Sequence, residues 1–185
     1  MNMTQIRAIT HFWREAGPAR WFAKDAAFDA AIREGFEPLH HEAARGALSS
    51  WLDEAEGALA LLLLTDQFPR NLYRGSAHAF ATDPLARAVA AEALALGHDR
   101  ATEPTLRPFF YLPFEHSEDP RDQARAVHLF TRHRDETGDE ESLRYALLHE
   151  ELIRRFGRFP HRNLAFGRVT TPEERAYLDG GGFAG

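Results

Sequence analysis

The chain has 185 residues, a formal net charge of −6 and no cysteine. Its length allows one domain with a core of its own. The missing thiols exclude a disulfide scaffold, a thiolate metal site and a cysteine nucleophile, and the acidic balance argues against a general nucleic-acid binder. The longest apolar run, Ala58 to Leu64, is far short of the ~20 residues of a membrane span. The N-terminal stretch carries Arg7, Arg14 and Glu15 rather than an apolar leader, so a cytoplasmic location away from membranes is expected.

There is no sustained alternation of apolar and polar residues and no Asn-Gly or Asp-Gly turn, and the punctuation reads as helical throughout. Ile6, Ile9 and Trp13 predict a helix over 4–16, stopped by Gly17-Pro18. A second starts near Asp25 with Phe28, Ile32 and Phe36; Leu39, Ala43 and Ala47 predict that it resumes after Pro38 and ends near Ser49. Asp53, with Glu56 three residues on, reads as the N-cap of a third. Its face is Ala55, Leu59, Leu62 and Leu63, and Phe68-Pro69 ends it. Thr82-Asp83-Pro84 opens a fourth, closed by Gly97. Further helices run from Asp119-Pro120 to Thr137-Gly138, from Asp139 to Phe156-Gly157, and from Thr171-Pro172. The expectation is all-α: a single compact domain over 1–185 with seven or eight helices, a core spanning about 4–179 and a loose glycine-rich tail at 180–185. The face holding Val127 and Phe130 reads as core or as the contact of a homodimer.

Of the 22 basic residues only Lys24 is lysine, a bias that codon usage explains in bulk but not in placement. Phe68-Pro69-Arg70-Asn71-Leu72-Tyr73-Arg74-Gly75 is echoed by Phe159-Pro160-His161-Arg162-Asn163-Leu164-Ala165-Phe166-Gly167-Arg168, each after an apolar helix. Segments 66–75 and 155–168 together hold six arginines (Arg70, Arg74, Arg155, Arg158, Arg162, Arg168) against one acid, Asp66. A net +5 there, on an acidic chain, implies a localised anionic target or a set of internal salt bridges.

Asp66 extends the apolar stripe of its helix and lies near that helix's C-terminus, so it needs a cationic partner, Arg70 or Arg162. His149 lies among Tyr145, Leu148, Leu152 and Phe156, the setting of a hydrogen-bonded core histidine. Glu115 and His116 stand beside Phe109, Phe110, Tyr111 and Phe114 and can serve as an acid–base pair. Being adjacent, they do not face one ion, and no His-Glu-x-x-His, Walker or Gly-x-Ser-x-Gly string occurs, so no metal or cofactor is expected.

Four strings carry a resemblance. They are Leu61-Leu62-Leu63-Leu64-Thr65-Asp66-Gln67-Phe68-Pro69-Arg70-Asn71, Ala79-Phe80-Ala81-Thr82-Asp83, Leu112-Pro113-Phe114-Glu115-His116-Ser117-Glu118 and Arg155-Phe156-Gly157-Arg158-Phe159-Pro160-His161-Arg162-Asn163. In this order they resemble the bacterial family known as domain of unknown function 924, over nearly the whole chain. The resemblance implies a tetratricopeptide-like all-helical fold and no named activity. It carries shared positions onto Asp66, Gln67, Arg70, Asn71, Glu115, His116, Arg155, Arg158, His161, Arg162 and Asn163. Thr65, where an apolar residue is usual, and the stretch 14–21 depart from the pattern.

The functional expectation is a pocket for a small anionic ligand, a carboxylate or phosphate. Glu115, His116, His161 and Asp66 would handle protons, and Arg70, Asn71, Arg155, Arg158, Arg162 and Asn163 would hold the anion. The alternative is a tetratricopeptide-like module for a peptide or protein partner, in which the motifs are structural clamps.

Overall fold

A computed structural model describes residues 2–185, and among them every regular element is helical. The chain groups into two compact units. One holds the chain up to Arg74 together with His78–Pro113; the other holds Gly75–Ala77 and Phe114–Gly185.

The first unit begins with α1 (Asn2–Ala16), α2 (Pro18–Trp21) and α3 (Ala26–Ala44). Asp25 caps α3, its carboxylate accepting from the N–H groups of Ala27 and Phe28. Helix α3 runs straight through Pro38 instead of restarting after it, and a 3-10 turn, Ser49–Asp53, follows. Pro38 and the residue four before it, Glu34, both face solvent, so the carbonyl that loses its helical partner meets water. Helix α4 (Ala55–Leu62) starts after Glu54, not after an Asp53 cap, and Glu54 makes no side-chain cap bond. Gly57 lets the start of α4 lie against the backbone of Trp51, which leaves no room for a Cβ.

Ala58 to Leu64 are all buried, as expected of a helix that is apolar on every side. An aromatic core forms beside it. Trp13 has ring centroids within 6 Å of Trp21, Phe28, Phe68 and Phe109, and the Trp21 indole N–H donates to the Trp13 carbonyl at 2.7 Å. Helices α6 (Asp83–Ala95) and α7 (His98–Ala101) complete the unit, separated by Gly97 in the left-handed conformation at φ 76°.

Pro69 does not end the helix that α4 begins. Leu63–Gln67 form a π turn, in which the Phe68 N–H donates to the Leu63 carbonyl, and the chain continues helically as α5 (Phe68–Leu72). The proline explains the widening: its ring would strike the carbonyl of Thr65, four residues back, and it has no N–H to offer. The carbonyls left over are met by side chains. Thr82 Oγ1 donates to Thr65 O at 2.6 Å, His40 Nδ1 to Leu64 O at 2.8 Å, and Arg70 to Asp66 O. Burial holds His40 below the ordinary histidine range, which keeps the ring neutral with its proton on Nδ1.

The second unit contains α9 (Pro120–Thr137) and α10 (Glu140–Phe156), preceded by α8 (Leu112–Glu115), within which the chain crosses from the first unit. Asp119 caps α9 and Asp139 caps α10; Gly138, at φ 79°, makes the turn between them. Buried Gln123 reaches back from α9 and donates to the carbonyls of Glu115 and Ser117 at 2.7 and 2.6 Å, fixing the segment that leaves α8. Helix α11 (Pro172–Asp179) opens with a capping box between Thr171 and Glu174. In the segment 180–185 the Gly182 N–H donates to the Tyr177 carbonyl at 3.0 Å and the Phe183 N–H to the Tyr177 hydroxyl at 2.8 Å. No described helix is long and apolar enough to cross a membrane.

Candidate functional site

In the first unit, Asp66 is buried on the π turn and faces Arg70, whose Nη1 lies 3.4 Å from its carboxylate. The same guanidinium takes both oxygens of Asp83 at 3.1 and 3.2 Å. Asp83 is the first residue of α6, where the helix dipole favours an anion. One arginine therefore ties the π turn to the start of α6.

The asparagines of the two echoing loops enter the same kind of clamp, although the arginine that completes the second, Arg158, stands just before its echoing string and Arg168, the counterpart of Arg74, binds Glu118. In the first unit, the Asn71 amide donates to Asp29 Oδ1 at 2.8 Å. Arg74 grips that carboxylate side-on, Nε to Oδ2 at 2.6 Å and Nη2 to Oδ1 at 2.9 Å, and also donates to the Ala23 carbonyl. In the second unit, the Asn163 amide donates to Glu174 Oε2 at 3.1 Å. Arg158 grips Glu174 at 2.6 and 2.9 Å and donates to the Val169 carbonyl. Each acid sits in the first turn of its helix, α3 or α11. The Arg158 fork, assisted by the Thr171 N–H, holds the Glu174 carboxyl well below the usual carboxylate range, at about 2.

The remaining arginines of these loops are also engaged. Arg155 pairs with Glu173 at 3.0 Å. Arg168 takes both oxygens of Glu118 at 2.9 and 2.8 Å. Burial alone would raise the Glu118 carboxyl; Arg168 and the Phe159 N–H outweigh it and the net shift is downward. The local excess of positive charge is thus met by acids from other parts of the sequence.

Arg162 is buried, its Nη1 donates to the His116 carbonyl at 2.9 Å, and its guanidinium stacks on Phe159 at 4.4 Å. Around Phe159 gather the groups with acid–base chemistry. His149 lies 5.3 Å from the Phe159 ring and His161 5.6 Å, and His116 is 6.3 Å from His149. Glu115, also buried, sets its carboxylate 3.1 Å from His149 Nδ1. The Tyr145 carbonyl is 2.8 Å from the same nitrogen. Both neighbours accept, so Nδ1 carries the proton in the neutral ring and Nε2 is left as an acceptor. Burial pulls His149 far below the ordinary histidine range, to about 3, and electrostatic interaction with His116, Arg162 and His161 pushes the same way. A buried neutral imidazole oriented by a carbonyl and a carboxylate offers Nε2 as an acceptor, and burial makes it a weak base in this closed state. Among the described residues, no three His, Asp or Glu side chains are grouped so as to hold a metal ion.

Of the residues singled out in the sequence, Asp66, Arg70 and Asn71 fall in the first unit. Glu115, His116, Arg155, Arg158, His161, Arg162 and Asn163 fall in the second. Within the second, His161 and Arg162 lie against Phe159 and Glu115 and His116 join them through His149, while Arg155, Arg158 and Asn163 turn toward Glu173 and Glu174. By its helical neighbours His149 reads first as a core histidine, and its helix leads directly into the second arginine loop. The signal that it belongs with Glu115 is the segment that follows its helix, which carries Phe159, His161 and Arg162.

A family model described as "Bacterial protein of unknown function (DUF924)" matches residues 9–182. The chain belongs to the DUF924 family. A solved structure of a protein of unknown function, ATU0120 from Agrobacterium tumefaciens, is 49% identical to it, covers 97% of this chain and 99% of its own, and superposes with a TM-score of 0.92. No curated protein matches it. This DUF924 member therefore has a family and a fold, and any chemistry must be argued from the groups around Phe159.

Proposed function

We propose that the second unit binds a small carboxylate or phosphate compound, with Arg162 and His161 holding the anion and the Glu115–His149 pair accepting a proton from it. The observation that carries this reading is the buried contact of Glu115 with His149 Nδ1 beside Arg162. Tyr145 supplies one acceptor for Nδ1; the Glu115 carboxylate is a second, and its charge is what would have to offset burial, once the site opens, for Nε2 to take a proton. A guanidinium at the edge of such a pair offers a fork for a planar or tetrahedral anion. Asp66 has no part in this reading, because it lies in the first unit and is tied to Arg70, which also holds Asp83.

A thermal-shift screen of carboxylates and phosphates tests the proposal. A true ligand at 100 times its dissociation constant stabilises by about 2.7 kcal/mol, a rise of roughly 5–11 °C for a chain of this size. Arg162→Lys, which keeps the charge and loses the fork, should weaken any hit about tenfold or more. A flat screen, or a hit indifferent to Arg162→Lys and His149→Gln, overturns the proposal.

A second reading, binding of a peptide or protein partner, is favoured by one observation. Leu164, Phe166 and Val169 are exposed on a single loop of the second unit, Leu164 at 91%. Pull-down with Leu164→Ser as the control separates the two readings: a partner lost in the variant supports this one, and its retention counts against it.

A further inference from the structure

The cluster around Phe159 has a cover made of the chain's own residues. The ring of Phe183 lies 4.8 Å from His149 and 5.3 Å from His161, edge-on to both. Gly185 lies against His161, where a Cβ would come within 3.1 Å of Cδ2. The covering segment is attached through three N–H groups, Gly181 donating to the Leu178 carbonyl and Gly182 and Phe183 to Tyr177, and Phe183 contributes the one large side chain of 181–185. Its route depends on glycine. Gly181 turns the chain at φ 80°, and Gly182 passes so close to the Tyr177 ring that any side chain there would overlap it.

The Phe183 ring packs against the apolar cluster of Leu152, Ile153 and Phe159 and at the same time closes edge-on over both imidazoles, so its displacement would uncover polar groups as well as apolar ones. A run of glycines also gives the open state high conformational entropy, so closure rests on a small free-energy difference. We propose that residues 181–185 are a displaceable strap over the His149–His161 site, with Phe183 as the group that shuts it and Tyr177 as its anchor. The strap deepens the anion-site reading above and rests on it for its functional meaning. In the closed state it excludes solvent from His149; in the open state it admits a small molecule to the imidazoles and Arg162.

Chemical modification of the full chain tests the strap without any ligand. Diethyl pyrocarbonate acylates accessible neutral imidazoles, and peptide mapping reads each histidine separately. In the parent, His149 and His161 should react far more slowly than exposed His11 and His128. Phe183→Ala should speed both by about tenfold, the factor set by losing the contacts of one half-buried aromatic ring, and leave His11 and His128 unchanged. Gly182→Ala, which forces the segment off Tyr177 while keeping the Phe183 ring, should do the same. Unchanged rates at His149 and His161 in both variants overturn the strap, and so does an equal rise at all histidines, which reports general loosening. Titration with inorganic phosphate and with succinate separates the two claims. Tighter binding in the faster-reacting variants upholds both, since removal of a closed state raises apparent affinity by the closed-to-open ratio. Faster modification with no binding of either probe in any variant upholds the strap and refutes the anion site.

Discussion

Thr82→Val isolates the bond that makes the π turn tolerable. The substitution conserves volume and removes the hydroxyl that donates to Thr65 O at 2.6 Å. Thr82 is the N-cap residue of α6 but makes no side-chain cap bond, so the change costs no capping. Thr65 is buried and its carbonyl has no amide four residues ahead, because Pro69 stands there. An orphaned buried acceptor costs about 1–3 kcal/mol. Pro69→Ala restores the missing N–H, so in that background Thr82→Val should cost less than about 0.5 kcal/mol, a coupling of roughly 1–2 kcal/mol in a double-mutant cycle. Urea unfolding followed by tryptophan fluorescence is the assay. All three tryptophans, Trp13, Trp21 and Trp51, lie in the first unit, so the signal reports the unit that carries the bond. An equal cost of Thr82→Val with and without Pro69 would refute the account of the π turn given above.

Three further outcomes are expected. His149, held near 3 by burial, stays neutral in the native state while the unfolded chain takes up a proton near the ordinary value of 6.5. The stability this contributes is present above that value and is lost as pH falls toward 3, by up to about 1.4 kcal/mol per pH unit. Urea midpoints by circular dichroism between pH 5 and 8 should show a shallower slope in His149→Gln, and parallel slopes would count against the burial argument. Asn71→Ala and Asn163→Ala each strip one donor from a carboxylate held in the same way, so each should lower stability by about 1–2 kcal/mol; a null effect at one site would break the structural parallel between the loops. Gly57→Ala, normally stabilising in a helix, should instead cost about 1–3 kcal/mol because its Cβ would overlap the Trp51 carbonyl, and a melting temperature at or above the parent's would contradict that packing.

The local signals in the sequence were legible where one residue decides the outcome. Thr171 with Glu174, Asp119, Asp139 and Gly138 start and stop helices where their side chains or absent side chains dictate. Pro38 and Pro69 were misleading for one reason. Proline removes a local hydrogen bond, but whether the helix breaks depends on what else can serve the freed carbonyl. For Pro69 the answer lies in Thr82 and His40, distant in sequence. The same limit applies to the arginines. Their clustering was visible, whereas Asp29, Asp83, Glu118, Glu173 and Glu174, which neutralise them, come from several helices. Glu115 could be singled out by its aromatic setting, but its link to His149 spans 34 positions and arises only when α8 and α10 are folded.

The π turn also acts as a setting of phase. A helix with one additional residue in a single turn rotates everything after it by about 100° relative to an uninterrupted α-helix. Phe68, Arg70 and Asn71 all lie beyond that point, and each has a partner on another element: Trp13, Asp83 and Asp29. Removing one residue from Leu63–Gln67 would restore regular winding and turn all three away at once. The inserted residue is therefore what aims the first of the two arginine–asparagine loops, and a lineage that lost it would have to rebuild three contacts to keep the same loop.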